Sequence, residues 1–262
     1  MFMKFPDIKK QYSHVARETG RRFPGECALI EDAIAFSFDM YYKLEKSGMD
    51  GLEEELAALF YRNCVYLSAT YSLLRSGMPD PSGNNMRTVF ETIIWQYAYL
   101  ADRQIFENHS EISRLEEEKF SGNWSNTKER KLQNLRRKYN FQKTMKSLYS
   151  KERFGSFFHN QYWVLSQKSH TSTFGINLNT PNMQGTTSVE KNPAELGKNL
   201  RAVLYLYSEN LVCFLNCFSK RSRKKHEILD FVNRLNRLVP PVPGLAPDTM
   251  DLEFTVRFKE VN

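Results

Sequence analysis

The stretch from Asn84 to Asp102, NNMRTVFETIIWQYAYLAD, constrains the fold more than any other part of the chain. Its apolar residues recur every three or four positions, which is the period of an amphipathic helix. At about 100° per residue they fall in one sector: Phe90, Ile93, Ile94, Tyr97, Ala98 and Ala101. The residues that fall opposite are Thr88, Thr92, Gln96 and Arg103. The pattern predicts a long helix that packs one side against a core.

Arg87 and Glu91 are charged residues at the flank of this apolar sector, one helical turn apart. At that spacing they can form a salt bridge. On a solvated face such a pair contributes little, whereas at the edge of a core it is costly to bury and costly to break. Two interpretations stay open: an arginine and a carboxylate positioned at the wall of a cleft, or a structural ion pair that ties two helices together.

Other segments of the chain repeat the helical period. The predicted helices cover residues 26–47, 52–76, 111–120, 128–139, 194–218 and 226–238. Residues 78–83, MPDPSG, are predicted to form a loop, and such short connections favour antiparallel neighbours. The 12 Gly and 10 Pro among 262 residues are few, and 41% hydrophobic residues are enough for a sizeable core. The expected fold is all-α, an antiparallel multi-helix bundle with a short C-terminal strand or extended tail.

The two ends of the chain differ from its middle. Residues 1–25 are polar and contain Pro6 and Pro24, so an N-terminal arm is expected there. Residues 26–239 form the predicted single helical-bundle domain. Residues 240–262 follow as a Pro-rich linker and an extended tail, whose last part alternates apolar and polar residues as a strand does. Because one strand needs a partner strand, a homodimer stays open.

Composition and motifs restrict the class of protein. Four cysteines at this length do not make a disulfide scaffold, and their spacing is unlike that of a metal site. We therefore expect reduced thiols in a cytoplasmic protein, with no metal and no cofactor. The start, MFMKFPDIKKQYSH, lacks the apolar core of a secretory signal, and no run approaches the roughly 18 apolar residues of a membrane span. The sequence also lacks a Gly-rich phosphate loop, His-Glu-x-x-His and Cys-x-x-Cys.

The net charge of +7 at pH 7 is compatible with an anionic partner, and RNA or another anionic ligand is the expected one. Basic residues cluster at 128–138 and at 220–225. The candidate nucleic-acid-binding residues are Lys128, Arg130, Arg136, Arg137, Arg221, Arg223, Lys224 and Lys225. A basic helix of this kind can contact phosphates, or it can simply be a solvated face.

A second polar pair lies in residues 156–174, SFFHNQYWVLSQKSHTSTF. On a helix, Ser166 and His170 are one turn apart on a stripe beside the apolar side. They can touch, which is half of a nucleophile arrangement, whereas a histidine near a helix C-terminus is often only a cap. If this helix packs on the 84–102 helix through their apolar sides, the two polar pairs meet in one cluster. The candidate catalytic residues are Arg87, Glu91, Ser166 and His170.

The order of these short motifs resembles that of a known group. The helix with the Arg-x-x-x-Glu pair is followed by Trp-Ser at 124–125 and by Tyr-x-x-x-Ser-x-x-x-His at 162–170. This order resembles a family of bacterial and archaeal helical proteins, a domain-of-unknown-function group near the HEPN-like helical bundles. The resemblance covers roughly residues 50–220. It implies an all-α bundle.

HEPN nucleases carry an arginine and a histidine with four to six residues between them, and this pair handles the RNA phosphate and the 2′-hydroxyl. Three pairs have this spacing here: Arg103 with His109, Arg153 with His159, and Arg221 with His226. Chance alone yields such a match in a chain with five histidines and many arginines. The polar residue usually found after the arginine is present only as Gln104 and Ser222. Two functions stay open: an RNA- or nucleotide-directed enzyme in defence or stress response, and a non-catalytic helical module that binds protein or nucleic acid through basic faces.

Overall fold

The computed structural model describes residues 5–122, 124–144 and 193–218, together with 226–227, 230–231 and 233–234. Seven helices occupy the three long ranges, and no strand is present among the described residues. The helices are α1 (Phe5–Arg22), α2 (Pro24–Tyr42), α3 (Gly51–Arg75), α4 (Pro79–Ala101), α5 (Arg103–Phe120), α6 (Asn126–Lys138) and α7 (Pro193–Phe218). The prediction of an all-α helical bundle is confirmed for this part of the chain.

Local sequence signals set the ends of the helices. α3 begins with a capping box, in which the Asp50 carboxylate accepts from the N–H of Glu53 at 2.9 Å and the Glu53 carboxylate accepts from the N–H of Asp50 at 3.1 Å. It is followed by Gly77, whose φ of +76° lies in the left-handed region that glycine tolerates. Asp102 separates α4 from α5, and its carboxylate caps α5 by accepting from the N–H of Gln104 at 3.0 Å.

α3 is central to the bundle because it packs against α2, α4 and α7. Asn63 of α3 meets Asn210 of α7, whereas Ser68 meets Tyr207, so the residue numbers run in opposite directions and the two helices are antiparallel. The short turn between α3 and α4 makes that pair antiparallel as well. α1 packs on α2 and α3, and α5 joins α4 to α6. This arrangement places the four helices α2, α3, α4 and α7 around one apolar core.

Three buried amide side chains join α3, α4 and α7. Asn63 Nδ2 donates to Gln96 Oε1 at 3.2 Å and to Asn210 Oδ1 at 3.0 Å. Asn210 Nδ2 in turn donates to the backbone carbonyl of Phe60 at 3.4 Å. Each of the three amides is at most 1% exposed. Because a buried amide is costly unless it is hydrogen-bonded, this amide cluster (Asn63, Gln96 and Asn210) fixes the axial register of the three helices.

Two expected breaks in the chain are helix starts instead. Residues 5–22, expected to lie within an N-terminal arm, form α1 and pack on the bundle. The predicted loop at 78–83 is wrong, because α4 begins at its first proline. Proline is tolerated in the first helical turn, where the missing N–H would have no partner within the helix. The helices α1, α2, α4 and α7 have a proline at their first or second residue, namely Pro6, Pro24, Pro79 and Pro193.

The side of α4 that the sequence pattern predicted to face away from the core is also buried. Thr92 is 6% exposed and Gln96 is 1% exposed, although both lie opposite the apolar sector. The reason is that α4 packs against both α3 and α7. α5 also begins at Arg103, earlier than predicted, because the cap at Asp102 starts it there.

Several predicted segments lie outside the described residues: the helix within 156–174, the basic stretch 220–225 and the C-terminal strand. Of the predicted 226–238 helix, the six described residues are helical, and Phe231 stacks on Phe36 of α2 with ring centroids 5.2 Å apart. Among the helices that the structure describes, none combines the length and the apolar character needed to cross a membrane.

The amide cluster predicts unequal costs for two changes from asparagine to leucine. Asn63→Leu leaves the oxygens of Gln96 and Asn210 without their donor, so we expect the free energy of unfolding to fall by about 3 kcal/mol. Asn84→Leu, at an exposed position of α4, should change it by less than about 0.5 kcal/mol. Urea denaturation measures both. A neutral or stabilising Asn63→Leu substitution would show that the bundle does not depend on these hydrogen bonds.

Candidate functional site

Arg87 and Glu91 form an ion pair on the wall of the bundle. Arg87 Nε donates to Glu91 Oε1 at 2.9 Å, and the two side chains are 25% and 33% exposed. Phe90 and Ile94, their neighbours on α4, are buried in the core. A pair of this spacing on an exposed helix is worth about 0.3–0.5 kcal/mol, and partial burial strengthens the attraction. The structure therefore brings this predicted pair into contact at the edge of the core.

Ser166 and His170 lie outside the described residues. Their meeting with Arg87 and Glu91 therefore stays a prediction.

A buried carboxylate on α7 is a candidate that the sequence reasoning missed. Glu209 is 4% exposed, and its Oε2 accepts from the hydroxyl of Tyr97 at 2.9 Å. Tyr97 lies on the same helix as Arg87, about 15 Å further along by helical rise. A carboxylate within the otherwise apolar run of α7 was the available signal, together with its polar neighbours Ser208 and Asn210. Position alone did not reveal its partner, which lies 112 residues away.

His109 is a second residue whose environment the sequence did not predict. Its Nδ1 is 2.8 Å from the hydroxyl of Tyr99, and its Nε2 is 3.2 Å from the carbonyl oxygen of Tyr139. Because a carbonyl only accepts, Nε2 carries the proton and Nδ1 accepts from the tyrosine. The ring also meets the edge of Trp95, with centroids 4.0 Å apart. His109 thus links α4, α5 and the residue that follows α6.

Burial lowers the pKa of His109 below its ordinary value, and the hydrogen bond to the Tyr139 carbonyl opposes this shift. The neutral ring is therefore the form that the folded protein prefers. Arg103, its partner in the Arg-x5-His spacing, is engaged elsewhere: its guanidinium donates to Asp50 at 2.8 Å. Structural contacts thus explain both members of this match.

The glutamates of α5 offset part of the positive charge of α6. Lys128 Nζ lies 2.9 Å from Glu118 Oε2, and Arg136 Nη2 lies 2.7 Å from Glu116 Oε1. The hydrogen bond from Lys128 holds the pKa of Glu118 below its usual range. An anionic ligand at these two cations has to compete with carboxylates already in place, which weakens its binding.

Arg130 and Arg137 occupy the opposite side of α6 and are exposed. Arg137 donates to the side-chain oxygen of Asn134 at 3.2 Å, and in the described part of the chain neither arginine forms an ion pair with a carboxylate. The two are separated by about 10.5 Å of helical rise. The other four candidates, Arg221, Arg223, Lys224 and Lys225, lie outside the described residues.

The cysteines are free, and three of the four are buried. Burial raises the pKa of Cys64 to about 12 and also raises the pKa of Cys27. A thiol with a raised pKa is a poor nucleophile near neutral pH. In the part of the chain that the structure describes, no group of three His, Cys, Asp or Glu side chains is arranged to hold a metal ion.

Comparison with protein-family models, with curated proteins and with solved structures gives no significant match. The relationship to the HEPN-like bundles therefore stays a prediction.

The environment of His109 predicts a pH-dependent stability. In the unfolded chain its pKa is about 6.5, so below that pH the unfolded state binds more protons than the folded one. We expect the free energy of unfolding to fall as the pH drops through this value toward the lower folded pKa, and His109→Gln to reduce that fall. Urea denaturation between about pH 7.5 and 5 measures it.

The matched control for this prediction is His14→Gln, since His14 is exposed on α1. It should keep the pH dependence of the unsubstituted protein. An unchanged slope in His109→Gln would contradict the assignment of a neutral, buried imidazole.

Proposed function

We propose that the protein is an RNA- or nucleotide-directed enzyme whose active centre includes Arg87 and Glu91. The observation that supports this proposal is the partly buried ion pair of these two residues on α4. A guanidinium can bind two phosphate oxygens at once, and it keeps its charge at every physiological pH. Glu91 engages the Nε edge of Arg87 and so holds the group in one orientation, as a preorganised phosphate contact requires.

Ser166 and His170 complete the proposed centre. His170 is the general acid or base, Arg87 holds the phosphate, and Glu91 and Ser166 orient the other two. In RNA strand cleavage the 2′-oxygen forms a bond to phosphorus, and the bond from phosphorus to the 5′-oxygen breaks. The 2′-hydroxyl loses its proton and the leaving 5′-oxygen gains one, and His170 serves one of these transfers. The products are a 2′,3′-cyclic phosphate and a free 5′-hydroxyl.

The outer face of α6 supports an approach of nucleic acid to the protein. Arg130 and Arg137 are exposed there, and the whole chain carries a net charge of +7. An excess of positive charge attracts a polyanion over distances of about a Debye length. The alternative function, a non-catalytic helical module that binds protein or nucleic acid through basic faces, shares this surface and lacks turnover.

Turnover of a labelled single-stranded RNA at low salt tests the catalytic proposal. We expect cyclic-phosphate products from RNA and none from its 2′-O-methyl analogue, which lacks the attacking hydroxyl. His170→Ala should lower the rate by about 10²- to 10⁴-fold while leaving stability and RNA binding nearly intact. Arg87→Lys keeps the charge but loses the two-point phosphate contact, so it should also lower the cleavage rate.

The salt dependence of binding to the same 2′-O-methyl RNA distinguishes the contributions of the two faces of α6. Removing one phosphate contact reduces the salt slope of binding by about 0.7–0.9. Arg130→Gln and Arg137→Gln should each do so, whereas Lys128→Gln, at a position already paired with Glu118, should have a smaller effect. Binding without turnover would favour the non-catalytic module. Salt-independent binding, or no binding at low salt, would contradict the enzyme and the nucleic-acid-binding module alike, and would leave only a module that binds protein.

A further inference from the structure

A cleft of about 290 Å³ opens between α3, α4 and α5, and neither Arg87 nor Glu91 is among the residues that line it. Its lining includes Glu55 of α3, Tyr99 of α4, and Phe106, His109, Arg114 and Glu117 of α5. Pockets for small molecules range from about 300 to 1,000 Å³, so this cleft suits a compact ligand. None of the functions considered above uses it.

The inner wall of the cleft is aromatic. Tyr99 is 7% exposed, and the ring of Phe106 meets it edge to face at 5.6 Å. His109 lies at 90° to Tyr99, also at 5.6 Å, and it is held by hydrogen bonds at both ring nitrogens. Since burial lowers the pKa of His109, its ring adds no positive charge to this wall near neutral pH. The wall is therefore aromatic and uncharged, and hydrogen bonds hold the imidazole in place.

The rim of the cleft carries a net negative charge. Arg114 donates to both carboxylate oxygens of Glu111, at 2.7 and 2.8 Å, and also pairs with Glu118. Lys131 pairs with Glu111 as well, and Lys128 with Glu118, so three cations meet these two carboxylates, and Glu55 and Glu117 bring the balance to one net negative charge. Glu55 and Glu117 also line the cleft, and neither forms an ion pair with any residue that the structure describes. The charge of Glu55 is felt within the cleft: burial first, and this carboxylate second, raise the pKa of Tyr99.

An aromatic wall beside unmatched carboxylates is suited to organic cations. The faces of aromatic rings attract ammonium and guanidinium groups, and the apolar rings accept the carbon chain of such a ligand. An anion would meet two carboxylates at the rim, so the charge selects against it. We propose that this cleft binds a small alkylamine or alkylguanidinium, with its cationic end at Glu55 and Glu117 and its carbon chain on Tyr99 and Phe106.

Calorimetric titration of the full chain with 1,4-diaminobutane and with agmatine tests the proposal. We expect saturable binding of at least one of them, with sodium chloride at equal ionic strength as the reference. Glu55→Gln and Glu117→Gln should each weaken binding about fivefold, as expected for the loss of one exposed charge contact. Glu54→Gln removes the same charge from an exposed neighbouring position on α3 that does not line the cleft, and it should bind as the unsubstituted protein does.

Proton NMR gives a second readout that does not depend on the variants. The ring signals of Tyr99 and His109 should shift during the titration, and those of His14, exposed on α1, should not. Absence of binding by both cations at millimolar concentration would overturn the proposal. Equal weakening by Glu54→Gln would also overturn it, because the attraction would then belong to the whole surface and not to the cleft. Neither result bears on RNA cleavage.

Discussion

The hydrogen bonds of Asn63 are the constraint on which the rest of the bundle depends. One amide nitrogen supplies donors to a side chain on α4 and to another on α7, at 3.2 and 3.0 Å. Apolar side chains alone would allow these helices to slide by a turn with little loss, because apolar packing is not directional. Buried amides do not allow it, since every other register leaves a donor or an acceptor without a partner. The cluster thereby fixes where α4 presents Arg87 and where α7 presents Glu209.

At the periphery of the bundle, charged side chains differ between the two sides of the α5–α6 pair. The α5–α6 pair is held together by ion pairs on its inner side and leaves Arg130 and Arg137 exposed on its outer side. Two roles are thus divided between different cations: one set stabilises the packing of α5 on α6, and another set is exposed and can contact a phosphate. The negative charge at the rim of the cleft beside α5 comes from Glu55 and Glu117, which form no ion pair with any residue that the structure describes. This division is what allows the proposed anion site and the proposed cation site to coexist in one chain.

The sequence predicted most of the helices because their apolar period is local information. α3 and α4 needed only their own residues, and so did the Arg87–Glu91 pair, whose members lie one turn apart. The starts of α1 and α4 were missed because proline was interpreted as a break, although it also begins helices. The burial of Gln96 was missed for a different reason: one helix pattern does not show how many neighbours the helix will have. Asn63 and Asn210, separated by 147 residues, lie beyond the reach of any periodicity.

The residues of the candidate site show the same difference between local sequence information and tertiary contacts. The two residues on α4 were found from their spacing, whereas Glu209 and His109 acquire their character only from tertiary partners. The proposed centre requires a contact between distant parts of the chain. The most direct test of that contact is an NMR pH titration of His170 with and without the Glu91 charge. A nearby carboxylate raises the pKa of a histidine, so Glu91→Gln should lower the pKa of His170, and Glu54→Gln should leave it unchanged. An identical pKa of His170 in the unsubstituted protein and in Glu91→Gln would show that the two residues do not share a site.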